Sequence, residues 1–138
     1  MDKFYFEIPS MERKDDIINY LDEFVEYKSD INGSGSLDKI YEGYTFSEAL
    51  ERCLRLKDPE YAKSIDRATS ETLMLVREED NKIVGMLNLR WNLPERMLEF
   101  GGHIGYGIRP TERQKGYNKI QLYMGLIEAD KEGLVKFI

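Results

Sequence analysis

Residues 103–119 read His-Ile-Gly-Tyr-Gly-Ile-Arg-Pro-Thr-Glu-Arg-Gln-Lys-Gly-Tyr-Asn-Lys, and within them the hydrophobic period changes once. Ile104, Tyr106 and Ile108 alternate with His103, Gly105 and Gly107, the period-two pattern of a strand with one apolar face. Pro110 ends the strand, because it has no N–H for a ladder and restricts the residue before it. A polar turn containing Gly116 follows. From Lys119 to Glu132 the period is helical, with Ile120, Tyr123, Met124 and Ile127 on one side. Strand, glycine-bearing turn and helix in this order gather free N–H groups at a helix's positive end, which suits a phosphate.

The charges agree with that chemistry. Arg109, Arg113, Lys115 and Lys119 against the single Glu112 give a local net of +3; in a chain of net −6 the remainder carries −9. By its residues alone the turn has two readings, a solvated loop beside a helix start and a phosphate cradle. Gly105 and Gly107 on one face likewise leave room either for a ligand or for a packed helix.

Arg113-Gln114-Lys115-Gly116-Tyr117-Asn118 resembles the pyrophosphate-binding signature (Arg or Gln)-x-x-Gly-x-(Gly or Ala) of the GNAT superfamily of acetyl-CoA-dependent N-acetyltransferases. Asn118 stands where the signature has a small residue; Asn accepts left-handed backbone angles better than most. Residues 102–113 are similar to the strand before that loop in bacterial predicted acetyltransferases. Residues 76–90, Val-Arg-Glu-Glu-Asp-Asn-Lys-Ile-Val-Gly-Met-Leu-Asn-Leu-Arg, resemble the second and third strands of the same fold.

The resemblance implies one α/β (α+β) domain over residues 1–138, with a mixed, mainly antiparallel central sheet flanked by helices. It implies acetyl-CoA as cosubstrate, its pantetheine amides on the backbone around Tyr106 and Ile108. The pyrophosphate is then expected on the N–H groups of Arg113, Gln114, Lys115, Gly116, Tyr117, Asn118 and Lys119, with the cationic side chains adding charge-assisted bonds. Transfer is direct attack of a neutral amine on the thioester, which needs positioning, proton removal and oxyanion stabilisation. Glu99 and His103 are the nearby titratable candidates for the base, beside a water-relayed route. A lone histidine in a strand also has a purely structural reading.

The superfamily's fold continues through a further helix and two strands, whereas here Leu134 to Ile138 read as the start of a strand with nothing after it to cover its edge. A homodimer covering that strand is one expectation, since an uncovered apolar edge invites association. The GNAT tyrosine that protonates the leaving thiolate has no counterpart here, so a CoA-binding module without turnover stands as the alternative to an enzyme.

Composition bounds the rest. An apolar share of 41% in 138 residues is enough for one core. No apolar run is long enough to span a membrane, and the first residues lack the basic and apolar regions of a signal peptide. Cys53 is the only cysteine, so an internal disulfide is excluded and a reducing cytoplasm is expected. The negative net charge argues against nucleic acid as the main partner and is compatible with a cationic substrate such as an amine. One His and one Cys are too few for a metal site. A nucleotide P-loop fails for want of its Gly-x-x-x-x-Gly-Lys-(Ser/Thr) motif.

Elsewhere, Phe4 to Ile8 read as a strand ended by Pro9, with Ser10 as an N-cap for an amphipathic helix carrying Ile17, Ile18, Leu21, Phe24 and Val25. That helix carries no visible chemistry. Asn32-Gly-Ser-Gly-Ser36 is a loop, either a linker or a wall of a substrate cleft. Thr45-x-x-Glu48 is a capping box opening a second helix, with Cys53 on its apolar stripe and Asp58-Pro59 closing it. Cys53 reads as a core thiol rather than an acyl-carrying nucleophile. Thr72–Arg77 and Lys82–Trp91 form a hairpin around 78–81, with Gly85 marking a bulge or a close backbone approach. A connector at 92–96 and Met97–Phe100 lead back to the central strand.

Overall fold

Four stretches of alternating side chains pair into one antiparallel sheet, β1 (Phe4–Glu7), β2 (Thr69–Arg77), β3 (Lys82–Trp91) and β4 (Ile104–Ile108), in that spatial order. The computed structural model describes residues 3–92 and 104–131. The connector, Met97–Phe100, Glu99, His103 and the strand expected at 134–138 with its covering homodimer therefore lie outside the described residues, Asn92 excepted.

Alternation sorts the sheet's side chains onto two faces. On one face Met74, Val76, Ile83 and Met86 pack with Ile17, Tyr20, Leu21 and Phe24 of α1 (Lys14–Glu26) and Phe46, Leu50 and Cys53 of α2 (Phe46–Arg55). On the other, Leu73, Leu75, Val84, Leu87 and Leu89 pack against α4 (Tyr117–Lys131). The architecture is therefore mixed α+β, a sheet with helices on both faces. No helix among the described residues is long and apolar enough to cross a membrane.

Several elements form as their local chemistry dictates. Thr45 Oγ1 accepts from Glu48 N–H at 3.1 Å and Glu48 Oε1 accepts from Thr45 N–H at 2.8 Å, which completes the capping box. Cys53 is buried in the core, where burial raises its thiol pKa. Leu75 faces Gly85 and Val76 faces Ile83, so Val84 is the extra residue of a β-bulge at the predicted glycine.

Four expectations need correction. Ser10 precedes a short 3-10 turn, Met11–Arg13, rather than α1 and makes no side-chain cap bond; Arg13 stands at the N-cap position of α1, also without one. The second helix ends at Arg55, and Asp58-Pro59 opens a further helix, α3 (Pro59–Ser64), because proline's fixed φ suits the first helical position. β2 begins three residues before the expected Thr72, at Thr69, since Thr69, Ser70 and Glu71 continue the pairing with β3 despite their polarity.

The face of α4 differs as well. Tyr117, Gln121, Gly125 and Ala129 are its buried residues, while Tyr123 and Ile127 are exposed, Tyr123 by 66%. The reason is distance: a Cβ on Gly125 would stand 2.8 Å from Leu87 Cδ1, so only small or slender side chains fit where helix and sheet touch. Ile120 and Met124 pack beside that contact line.

Candidate functional site

β4 lies at the end of the sheet, paired with β3 on one side only among the described residues. Arg109 N–H donates to Val84 C=O at 2.8 Å. In an antiparallel ladder the direction then alternates, so Gly107 and Gly105 address β3 while Tyr106 and Ile108 turn their N–H and C=O groups to the outer edge. Arg113 Nε takes the Ile108 carbonyl at 3.1 Å. The peptide groups of Tyr106 have no partner there among the described residues.

The Gly107 carbonyl, in a ladder that continues unbroken through Met86, is reached from both faces of the sheet. Tyr20 Oη donates to the Gly107 carbonyl at 3.4 Å and accepts from Met86 N–H, so the hydroxyl contacts both strands at the Met86–Gly107 pair. Burial holds the Tyr20 hydroxyl far above its ordinary pKa, so it keeps its proton. From the opposite face Gln121 Nε2 donates to the same carbonyl at 3.2 Å.

The chain then passes a single 3-10 turn at Pro110–Glu112 and enters the turn Arg113–Gly116. Gln114 (φ 65°) and Gly116 (φ 81°) are left-handed, and alternating backbone handedness makes successive N–H groups converge into an anion nest. Among the described residues the N–H groups of Gln114, Lys115 and Gly116 make no hydrogen bond. Those of Tyr117, Asn118 and Lys119 open α4 and have no carbonyl behind them within the helix. Asn118 is helical, so the left-handed tolerance expected of it is used at Gln114 instead.

The turn's charges are arranged around two carboxylates. Glu112 is buried, and its carboxylate takes Arg77 at 2.7 Å, Lys115 at 2.8 Å and Lys82 at 3.1 Å. Burial by itself raises its pKa, but these cationic donors outweigh burial and hold it at about 2. Arg77 also donates to Tyr117 Oη at 3.1 Å, which ties the first helical residue to the sheet. Glu23, at the end of the helix with no visible chemistry, accepts from Thr111 N–H and Oγ1, both at 2.9 Å, and from Arg109 at 3.2 Å. Burial raises this carboxyl too, and the Thr111 and Arg109 bonds bring it below its ordinary value.

These parts border a cleft of about 460 Å³. Tyr106, Gly107 and Ile108 form one wall; Arg113, Gln114, Gly116, Tyr117 and Asn118 form its mouth. Phe24 and Asn32 close the far side. A Cβ built on Gly116 meets nothing within 4 Å, so the mouth is open at the glycine. No protein-family model matches the chain, and no curated protein matches it.

Of the predicted site residues, Tyr106, Ile108, Arg113, Gln114, Gly116, Tyr117 and Asn118 meet at the cleft. Lys115 neighbours them but spends its ammonium on Glu112, and Lys119 is exposed on the first turn of α4. Arg109 leaves the basic cluster: it is buried, paired with Glu23 and bonded to Ile83 C=O at 2.8 Å. Arg113 is also committed, donating to Ile108 C=O and to Ser29 Oγ at 2.8 Å. The turn is thus less basic toward the cleft than its composition.

The glycine face of β4 is correspondingly not empty. A Cβ on Gly107 would stand 3.0 Å from the Asn32 carbonyl, and one on Gly105 would overlap the Arg90 guanidinium. The room serves the chain's own loop and arginine rather than a ligand. Tyr20, Glu23 and Gln121 carry no local motif, and long-range packing alone marks them as parts of the site; Asn32 belongs to the glycine-serine loop, which lines the cleft.

Proposed function

We propose that this chain is an acetyl-CoA-dependent N-acetyltransferase of the GNAT type. The observation that carries the reading is the meeting, in one cleft, of a strand edge at Tyr106 and a nest of N–H groups at Gln114–Gly116, neither of them hydrogen-bonded among the described residues. A strand edge offers amide pairing to the extended pantetheine arm, as in strand addition. A nest at a helix start offers a diphosphate its donors. Two carboxylates line the cleft: Glu112, beside the nest, is already neutralised by three cations, and Asp30 is exposed to solvent.

In the proposed reaction the acceptor's nitrogen bonds to the thioester carbonyl carbon and the carbon–sulfur bond breaks. The sulfur leaves as thiolate and takes up the equivalent of the amine's proton. Glu99 and His103, just before β4 in the chain, are the residues proposed to receive that proton. Acetyl-CoA and an amine are the proposed partners.

Thermal denaturation with and without CoA tests the reading. CoA is expected to raise the melting temperature of the native chain and to leave Gly116→Glu unmoved, because its side chain enters the open mouth with a negative charge. No stabilisation of the native chain sinks the proposal. Thiol release from acetyl-CoA over a panel of amines then separates the transferase from a module that only binds.

A further inference from the structure

A second cavity, of about 130 Å³, adjoins the cleft and shares Asn32 with it. It lies on the α1/α2 face, beyond the loop Asn32–Gly35, whose Gly33 is pressed against Met86 C=O and the Tyr106 Cα. Its position along β4 matters. Arg90 lines it and lies over Gly105, and Ile104 to Ile108 span about 13 Å of strand. The cavity is thus set at the end of the strand opposite the N–H nest, where the thioester end of a pantetheine arm laid along β4 would arrive.

The lining is polar and carries charges of both signs. Arg67 makes no ion pair or side-chain hydrogen bond among the described residues, and Asp38 meets no cation. Among the described residues the Asp38 side chain has one hydrogen-bond donor, Ser34 Oγ, to Oδ1 at 3.0 Å. Arg90 Nε donates to Asn88 Oδ1 at 2.9 Å, and Asn88 is in turn anchored on Thr72 Oγ1 at 3.0 Å. Burial, and next the charge of Arg67, hold the Arg90 guanidinium below its ordinary pKa, so the two cations feel one another. A half-buried cation and a half-buried carboxylate, each without an ion-pair partner among the described residues and both facing one small cavity, are complementary to a ligand carrying both opposite charges.

We propose that this cavity binds the acetyl acceptor and that the acceptor is a small zwitterion of the amino-acid class. Its carboxylate lies against Arg67, with Arg90 beside it, and its ammonium lies toward Asp38 before losing the proton that makes it a nucleophile. This rests on the acetyl-transfer reading for the reaction, but not for the binding.

The experiment is ligand-observed NMR of the full chain, without CoA, against each of the twenty common L-amino acids and the amines obtained by removing the α-carboxylate. At least one amino acid is expected to bind. Its decarboxylated amine, and the same amino acid with Arg67→Ala, are expected to bind about tenfold or more weakly. Asp38→Asn is expected to weaken binding likewise, while neither variant changes stabilisation by CoA. Binding of no amino acid, or binding unaffected by Arg67→Ala, overturns the proposal even if CoA binds. Amino-acid binding lost in Arg67→Ala, with no response to CoA, keeps the cavity assignment and removes the transferase reading.

Discussion

Replacing Glu112 by glutamine is the perturbation whose size follows most directly from the geometry. The carboxylate is buried, with a side chain 5% exposed, and holds Arg77, Lys115 and Lys82 within 3.1 Å. Its pKa of about 2, against 4.5 for a free glutamate, corresponds to about 3 kcal/mol of stability at neutral pH. Lys82 and Lys115 are partly exposed, so water screens their share and the observable loss is about 2 kcal/mol. The sign follows from the direction of the shift. A depressed carboxylate contributes fully above its unfolded value of 4.5, and the contribution disappears as pH falls from there toward 2.

Urea denaturation of the native chain and Glu112→Gln, from pH 7 down to pH 2, measures this. Glu7, Glu23 and Asp80 also have lowered pKa values and weaken both proteins in acid, so the informative quantity is the difference between the two curves. That difference is expected to be about 2 kcal/mol above pH 5 and to close as the pH approaches 2. A gap that stays constant across the range, or one below about 0.5 kcal/mol at pH 7, refutes the account of Glu112 as the electrostatic anchor of the turn.

Gly85→Ala is expected to destabilise by about 2 kcal/mol, because the new methyl overlaps Gln121 and stands 2.9 Å from Ile108 Cδ1. The cost should shrink in a Gln121→Ala background, and simple additivity of the two urea midpoints would contradict the contact. Tyr20→Phe removes the hydroxyl between Met86 and Gly107 and is expected to cost about 1–2 kcal/mol, with faster exchange of the Met86 amide. Unchanged exchange there would show that the hydroxyl does not bridge the strands. Cys53, buried with its thiol pKa raised, is expected to react with a thiol reagent only at the rate of unfolding; rapid labelling of the native chain would count against its core position.

Much of the fold is written in neighbours close along the chain. The change from period two at Ile104–Ile108 to a helix at Tyr117 depends on residues two to four apart, and so does the Thr45–Glu48 box. The hairpin and the bulge at Gly85 have the same local origin. Where local signals misled, a neighbour distant in sequence had the final say. The apolar residues of α4 were readable, but its buried line runs through Gln121, Gly125 and Ala129 because Leu87 stands too close for anything larger.

What the sequence alone determined is the strand, the turn with a glycine in it, and the helix that follows, because backbone periods and turn preferences are properties of short segments. Tertiary structure decided which cations and which spaces remain for a ligand. Arg109 pairs with Glu23 across 86 positions of chain, and Asn32 fills the space over Gly107. Charge and volume are satisfied by whatever the fold brings near, and nearness across a sheet leaves no trace in the spacing of residues.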